Sequence, residues 1–146
     1  MARGVELSGE ARPWRSMTVR GSYTYTNADE RKSSLVGGGL QTIRVFPHMV
    51  TVVASQQVIP RLLVTADFLA ASSYIAGTFF VGSGNRPFLF PGPHRLDTAV
   101  TYDVPLREKQ TLRLYTRIEN LFNQQYYEDV FRTPKAWAAA GVKWMF

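Results

Sequence analysis

The feature that most narrows what this chain can fold into is an alternation of period two in which charge falls on one side only. Residues 111–120 place Leu112, Leu114, Thr116 and Ile118 on one side of an extended strand, with Arg113, Tyr115, Arg117 and Glu119 on the other. Residues 95–104 set Leu96, Thr98, Val100, Tyr102 and Val104 against Arg95, Asp97 and Asp103. At the chain end, Ala136, Ala138, Ala140, Val142, Trp144 and Phe146 oppose Lys135 and Lys143. The same pattern runs through 4–12, 16–26 and 61–72, where Leu63 and Leu69 blur it. Residues 48–56 are rich in β-formers (Val50, Thr51, Val52, Val53), which leaves their phase open. These are seven strands, and in the phases read here no Asp, Glu, Lys or Arg lies on an apolar side.

Two solvent arrangements give such strands. A soluble sheet packs its apolar face on a core and wets the other; a membrane barrel turns that face to lipid and its charges to an aqueous lumen. Composition favours the second. The apolar sides are padded with Ala, Gly and Thr, a thin supply for an interlocking core, and no segment reads as a helix able to cover them. Aromatic residues gather near strand ends (Trp14, Tyr23, Tyr25, Tyr74, Tyr102, Trp144, Phe146), as in interfacial girdles. Mean hydropathy is −0.14, and no run reaches the about 18 apolar residues of a spanning helix. With 45% hydrophobic residues the chain is too apolar for disorder.

The connections alternate in length. Short turns around Pro13-Trp14-Arg15, Ile59-Pro60 and residues 105–109 separate longer links at 27–47, 73–94 and 123–134. An up-and-down meander with one trimmed and one elaborated rim gives this order, as in outer-membrane barrels.

At Arg117-Ile118-Glu119-Asn120-Leu121-Phe122-Asn123, followed by Gln124-Gln125-Tyr126-Tyr127-Glu128 and a final strand ending in Phe146, the chain closely resembles the C-terminus of TonB-dependent outer-membrane receptors. Residues 21–28, Pro47-His48 and 91–97 resemble strand and junction segments of the same family. The resemblance covers nearly the whole chain and is most specific over 110–146. It implies an all-β fold: an antiparallel up-and-down meander of about seven strands, the C-terminal segment of a 22-stranded transmembrane β-barrel. It also implies placement in the outer membrane, with the long links outside the cell and the short turns in the periplasm.

Within the resemblance, Glu119, Asn120, Leu121, Phe122, Tyr126 and Tyr127 form the family's C-terminal motif. Val142, Trp144 and Phe146 resemble the strand signal read by the barrel-assembly machinery. Seven strands fall short of 22, and the first residues (Met1-Ala2-Arg3-Gly4) have no apolar h-region. Residues 1–146 are therefore expected to be a C-terminal barrel fragment without plug domain or signal peptide. The implied activity is transport, most simply uptake of ferric siderophores; cobalamin, haem and glycans are the family's other cargoes. Implied partners are outer-membrane lipid and, in the complete receptor, the TonB energy-coupling protein and a metal-chelate cargo. A soluble antiparallel β-sheet binding module is the alternative from another class.

Two sets of residues are candidates for ligand contact. Phe79, Phe80, Arg86, Phe88 and Phe90 fall in one aromatic link that suits an outer vestibule, against a place for some of these rings in the interfacial girdle or self-packing of the loop. Arg95, Asp97, Arg113, Arg117 and Glu119, with Asp103, face the lumen in this reading, where they either steer anionic cargo or form structural ladders. The absence of Cys excludes disulfides, thiolate metal sites and thiol nucleophiles. His48 and His94 have no ligand-spaced partners, Gly82-x-Gly84 has no third glycine, and nothing resembles a catalytic set, so neither enzyme activity nor a cofactor is expected. The net charge of +6 (17 Lys+Arg against 11 Asp+Glu) is scattered rather than patched, which argues against nucleic acid as a partner.

Overall fold

In a computed structural model of the chain, residues 2–28, 45–80, 84–107, 110–128 and 131–146 are described, those at 77–80 and 84–87 by their backbone alone. Most of the link at 27–47, together with residues 81–83, 108–109 and 129–130, lies outside the described residues.

The seven alternating segments are strands: β1 (Ala2–Ala11), β2 (Met17–Ala28), β3 (His48–Ile59), β4 (Leu62–Ala71), β7 (His94–Pro105), β8 (Thr111–Glu119) and β11 (Trp137–Met145). They form one antiparallel sheet in the order β1-β2-β3-β4-β7-β8-β11, a meander without crossovers. The sheet is not closed: β1 and β11 are its two edges. Each strand has 9 to 12 residues, the length of a tilted strand crossing a bilayer. No helix occurs among the described residues.

The link at 73–94 is not the plain loop expected from its sequence. It contains a hairpin, β5 (Tyr74–Phe80) paired with β6 (Gly84–Phe90), standing as a separate two-stranded ladder. Gly77, Gly82, Gly84 and Pro87 interrupt the alternation and hide these strands from a periodicity test. The link at 123–134 likewise holds a small ladder of β9 (Tyr127–Glu128) and β10 (Phe131–Arg132).

Register decides how the faces align. Ala11 pairs with Val19, Val19 with Ala54, Ala54 with Ala66, Ala66 with Thr98, Thr98 with Ile118 and Ile118 with Ala138. All seven apolar sides therefore share one face of the sheet, because paired residues in an antiparallel ladder point the same way. The open phase of β3 is settled by its neighbours: Val50, Val52 and Ala54 join the apolar face, while Thr51, Val53 and Ser55 join the polar one. Among the described strand residues only Arg3, at the rim end of β1, carries charge on the apolar side.

Nothing among the described residues covers this face. Val5, Leu7, Leu114, Val142 and Trp144 are all exposed on it. The buried apolar residues (Ala28, Tyr74, Ala76, Tyr126) instead lie at the elaborated rim, among the hairpin and the connections that flank the sheet. At the opposite, trimmed rim the first two turns are tied by backbone bonds to the next hairpin, Gln57 N–H to the Ser16 carbonyl (2.8 Å) and Asp103 N–H to that of Arg61 (2.9 Å).

Candidate functional site

The polar face carries charge in compensated rows. On β7 and β8, Arg113 makes a two-pronged contact with Asp103, its directly opposite partner (Nε–Oδ1 2.7 Å, Nη2–Oδ2 2.8 Å). Nearer the elaborated rim, Asp97 receives Arg95 at 3.1 Å and Arg117 at 3.7 Å, and Arg117 also reaches Glu119 at 3.0 Å. On β1 and β2, Glu10 holds Arg20 and Arg12 (2.8 and 2.9 Å). The five lumen candidates thus share one face and pair within it, which is the ladder arrangement. Two carboxylates of this face, Glu6 and Asp67, are exposed and have no cation among the described residues, and Asp67 sits directly opposite Asp97. Asp67, Asp97 and Arg117 line a groove of about 350 Å³ with Val53, Thr65 and Ala99.

The Glu119-Asn120-Leu121-Phe122 motif terminates β8. Asn120 adopts a left-handed backbone (φ 54°), which Asn tolerates better than most residues. Its N–H donates to Asp97 Oδ1 (2.9 Å). Its side-chain amide donates to the carbonyls of Gln124 (2.7 Å) and Pro134 (3.1 Å) and accepts the Gln124 N–H (3.1 Å). Leu121 N–H bonds the Leu96 carbonyl at 2.7 Å, clasping the turn to β7. Three residues on, Asn123 repeats the left-handed conformation (φ 55°) and accepts the Ala136 N–H, which sets the start of β11. Phe122 turns edge-on to Phe68, ring centres 6.3 Å apart.

Tyr126 and Tyr127 stand on the same rim. Tyr126 is buried, takes a weak contact from Arg95 (3.4 Å) and closes a ring with Thr133 through its backbone. Burial pushes its phenol above the usual tyrosine range, the Arg95 contact opposing. Arg95, Glu119, Glu128 and Lys135 surround a cleft of about 90 Å³ beside Tyr126, with charges of both signs and space for only a few waters. The Tyr127 carbonyl accepts the Tyr74 hydroxyl (2.6 Å), and Tyr74 packs against Phe46 and Phe90. Tyr74 ties the hairpin to the 123–134 connection, a role that a period-two reading does not assign.

Of the ligand-loop candidates, Phe90 is engaged inward, between Tyr74 and Tyr127, and Phe88 is 42% exposed. Phe79, Phe80 and Arg86 pair with Asn85, Gly84 and Thr78 in the hairpin; their side chains lie outside the described residues. At the chain end Val142, Trp144 and Phe146 are exposed along the edge strand. His48 stacks with Tyr23 and shares a 2.8 Å hydrogen bond with its hydroxyl; His94 meets Gln124 and the Gly92 carbonyl. Among the described residues no group of His, Asp and Glu is arranged to hold a metal ion.

Comparisons of the chain with protein-family models, with curated proteins and with solved structures give no match.

Proposed function

We propose that this chain is the C-terminal part of the barrel of a TonB-dependent outer-membrane receptor, working in the uptake of ferric siderophores. One observation carries the membrane part: seven strands of bilayer-spanning length turn a continuous, nearly uncharged face outward with nothing from the described chain to cover it. A water-soluble fold of this size buries most of its large apolar side chains. Here Tyr74 and Tyr126, both at the elaborated rim, are the only large apolar side chains buried among the described residues. Lipid is the solvent in which such a face is stable. The family part rests on the Glu119–Phe122 motif with Tyr126, Tyr127 and the terminal aromatic strand. Its geometry gives that motif a physical task, closing β8 and aiming the last strand.

In this reading the paired charges line the wet wall of the pore, and the hairpin with its rings forms part of the outer vestibule. The two open edges take further strands of the receptor, so the chain alone transports nothing. Partition tests the solvent: the chain should aggregate in buffer and gain a β-type circular dichroism spectrum only with detergent or lipid vesicles. A folded monomer in plain buffer would instead support the soluble sheet-binding module. A heat-modifiable, closed monomeric barrel in detergent would refute the part-barrel reading. Cargo is tested in cells carrying the complete receptor, where loss of labelled ferric-siderophore uptake on its deletion is expected; unchanged iron uptake with lost cobalamin, haem or glycan uptake would reassign it.

A further inference from the structure

The three turns of the trimmed rim repeat one pattern that the transport reading does not use. Each presents an exposed apolar side chain followed at once, or after a proline, by an arginine: Trp14-Arg15, Ile59-Pro60-Arg61 and Leu106-Arg107. Trp14, Ile59 and Leu106 are 56%, 53% and 44% exposed. All three arginines are exposed, and none has a partner among the described residues. Of the described carboxylates near this rim, Glu10 is occupied by Arg12 and Arg20, and Asp103 by Arg113. A belt of three free guanidinium groups remains, one per turn.

The belt is ordered. Successive turns are two strands apart in the sheet, roughly 10 Å at ordinary strand spacing. Backbone bonds from Gln57 to Ser16 and from Asp103 to Arg61 lock the first two turns to the strand beside each, and the third is closed on itself by the Leu106 N–H to the Gln110 carbonyl (2.8 Å). Gln56 braces the first turn twice, accepting the Trp14 indole N–H (2.7 Å) and donating to Ser16 Oγ (2.8 Å).

We propose that this rim docks on anionic phospholipid, with Arg15, Arg61 and Arg107 bonding headgroup phosphates while Trp14, Ile59 and Leu106 sit among the adjoining acyl chains. Guanidinium is the side chain best shaped for two-pronged phosphate contact, and an indole suits a boundary with one wet and one greasy side. A free inorganic anion would give no reason for an apolar neighbour at every arginine. Nucleic acid calls for stacking rings along a basic groove, whereas these residues are spread along the border of the apolar face. The proposal rests on the membrane reading, and its test separates the two.

The 146-residue chain carrying Trp137→Phe and Trp144→Phe keeps Trp14 as its one reporter. It is folded into vesicles of phosphatidylcholine and phosphatidylglycerol in which one or the other lipid bears brominated acyl chains. Trp14 should show a preference for brominated phosphatidylglycerol of about fivefold, the effect of one arginine at an anionic surface. Arg15→Gln with Arg61→Asn and Arg107→Gln should bring the ratio to about one. So should about 0.5 M salt on the unsubstituted turns, by screening, which keeps the test decisive if the triple variant does not fold. Equal quenching by both lipids, or a preference that survives the triple substitution, overturns the proposal. So does a preference erased by inorganic phosphate at constant ionic strength, or transfer of Trp14 from the vesicles to a DNA duplex. Absence of quenching by either lipid means that the chain does not enter the bilayer, and then the membrane reading falls as well.

Discussion

The main sheet and the elaborated rim are held together in opposite ways. Across the sheet the described strands contribute backbone ladders and two open faces, and its large apolar side chains are exposed or half-buried, none of them buried. At the rim several side chains have fixed partners. Asn120 saturates its amide, Asp97 accepts from Arg95, Arg117 and a backbone N–H, and Tyr74 and Tyr126 are buried. A sheet whose solvent is lipid needs no core beneath it, whereas irregular connections must satisfy their own polar groups wherever they leave water. The ladder is tolerant of side chains and intolerant of charge on one face. The rim is tolerant of neither truncation nor displacement.

A large effect should come from placing charge on the apolar face. Val100 lies mid-strand between Val64 and Thr116, and Val100→Arg should cost about 2–4 kcal/mol of folding stability in lipid. Its neighbour on the polar face, Ala99→Arg, should cost less than about 1 kcal/mol, since lumen positions accept charge. Urea unfolding in vesicles measures both, and equal costs would break the contrast between the faces.

Asn120→Ala probes the rim. It removes three side-chain hydrogen bonds at about 1 kcal/mol each and leaves alanine in a left-handed backbone at about 1 kcal/mol more, for a total of about 4 kcal/mol. Asn120→Gly relieves the backbone alone and should recover about 1 kcal/mol of that. If both variants unfold at the unsubstituted midpoint, the hub role is wrong.

Smaller still is a contact between β8 and β11. The Tyr115 ring lies over Gly141, its directly opposite partner, where an added Cβ would overlap it. Gly141→Ala should cost about 1 kcal/mol as the ring is displaced, and the penalty should vanish in a Tyr115→Ala background. A penalty of the same size in both backgrounds would assign it to the backbone instead.

The smallest effect is at alkaline pH. Tyr126 titrates above the ordinary tyrosine value because burial favours the neutral phenol. Its contribution is therefore complete below about pH 10, the unfolded value, and is lost as pH rises through the folded one. Unsubstituted protein should lose more stability between neutral and strongly alkaline pH than Tyr126→Phe; equal losses would place the phenol in water.

Much of this architecture is legible in one dimension, and the exceptions have identifiable causes. The strand at 111–120 is read within a residue of β8 because its alternation is unbroken. The hairpin of β5 and β6 escapes because two glycines and a proline interrupt its alternation of side chains. The Asn120-x-x-Asn123 pair is visible as letters, and left-handed tolerance is the signal that marks it as a turn. The roles of Tyr74 and Gln124 leave no local trace. Tyr74 meets Tyr127 across 53 positions and Gln124 meets His94 across 30.

What the chain determined by itself is the sidedness of its strands, since successive residues of an extended backbone point to opposite faces whatever lies beside them. Only the folded sheet decided which strands are neighbours, that all seven apolar sides coincide, and which acid each arginine meets. Those outcomes depend on register between segments far apart in sequence, and a shift of one residue would have sent every charge to the other side.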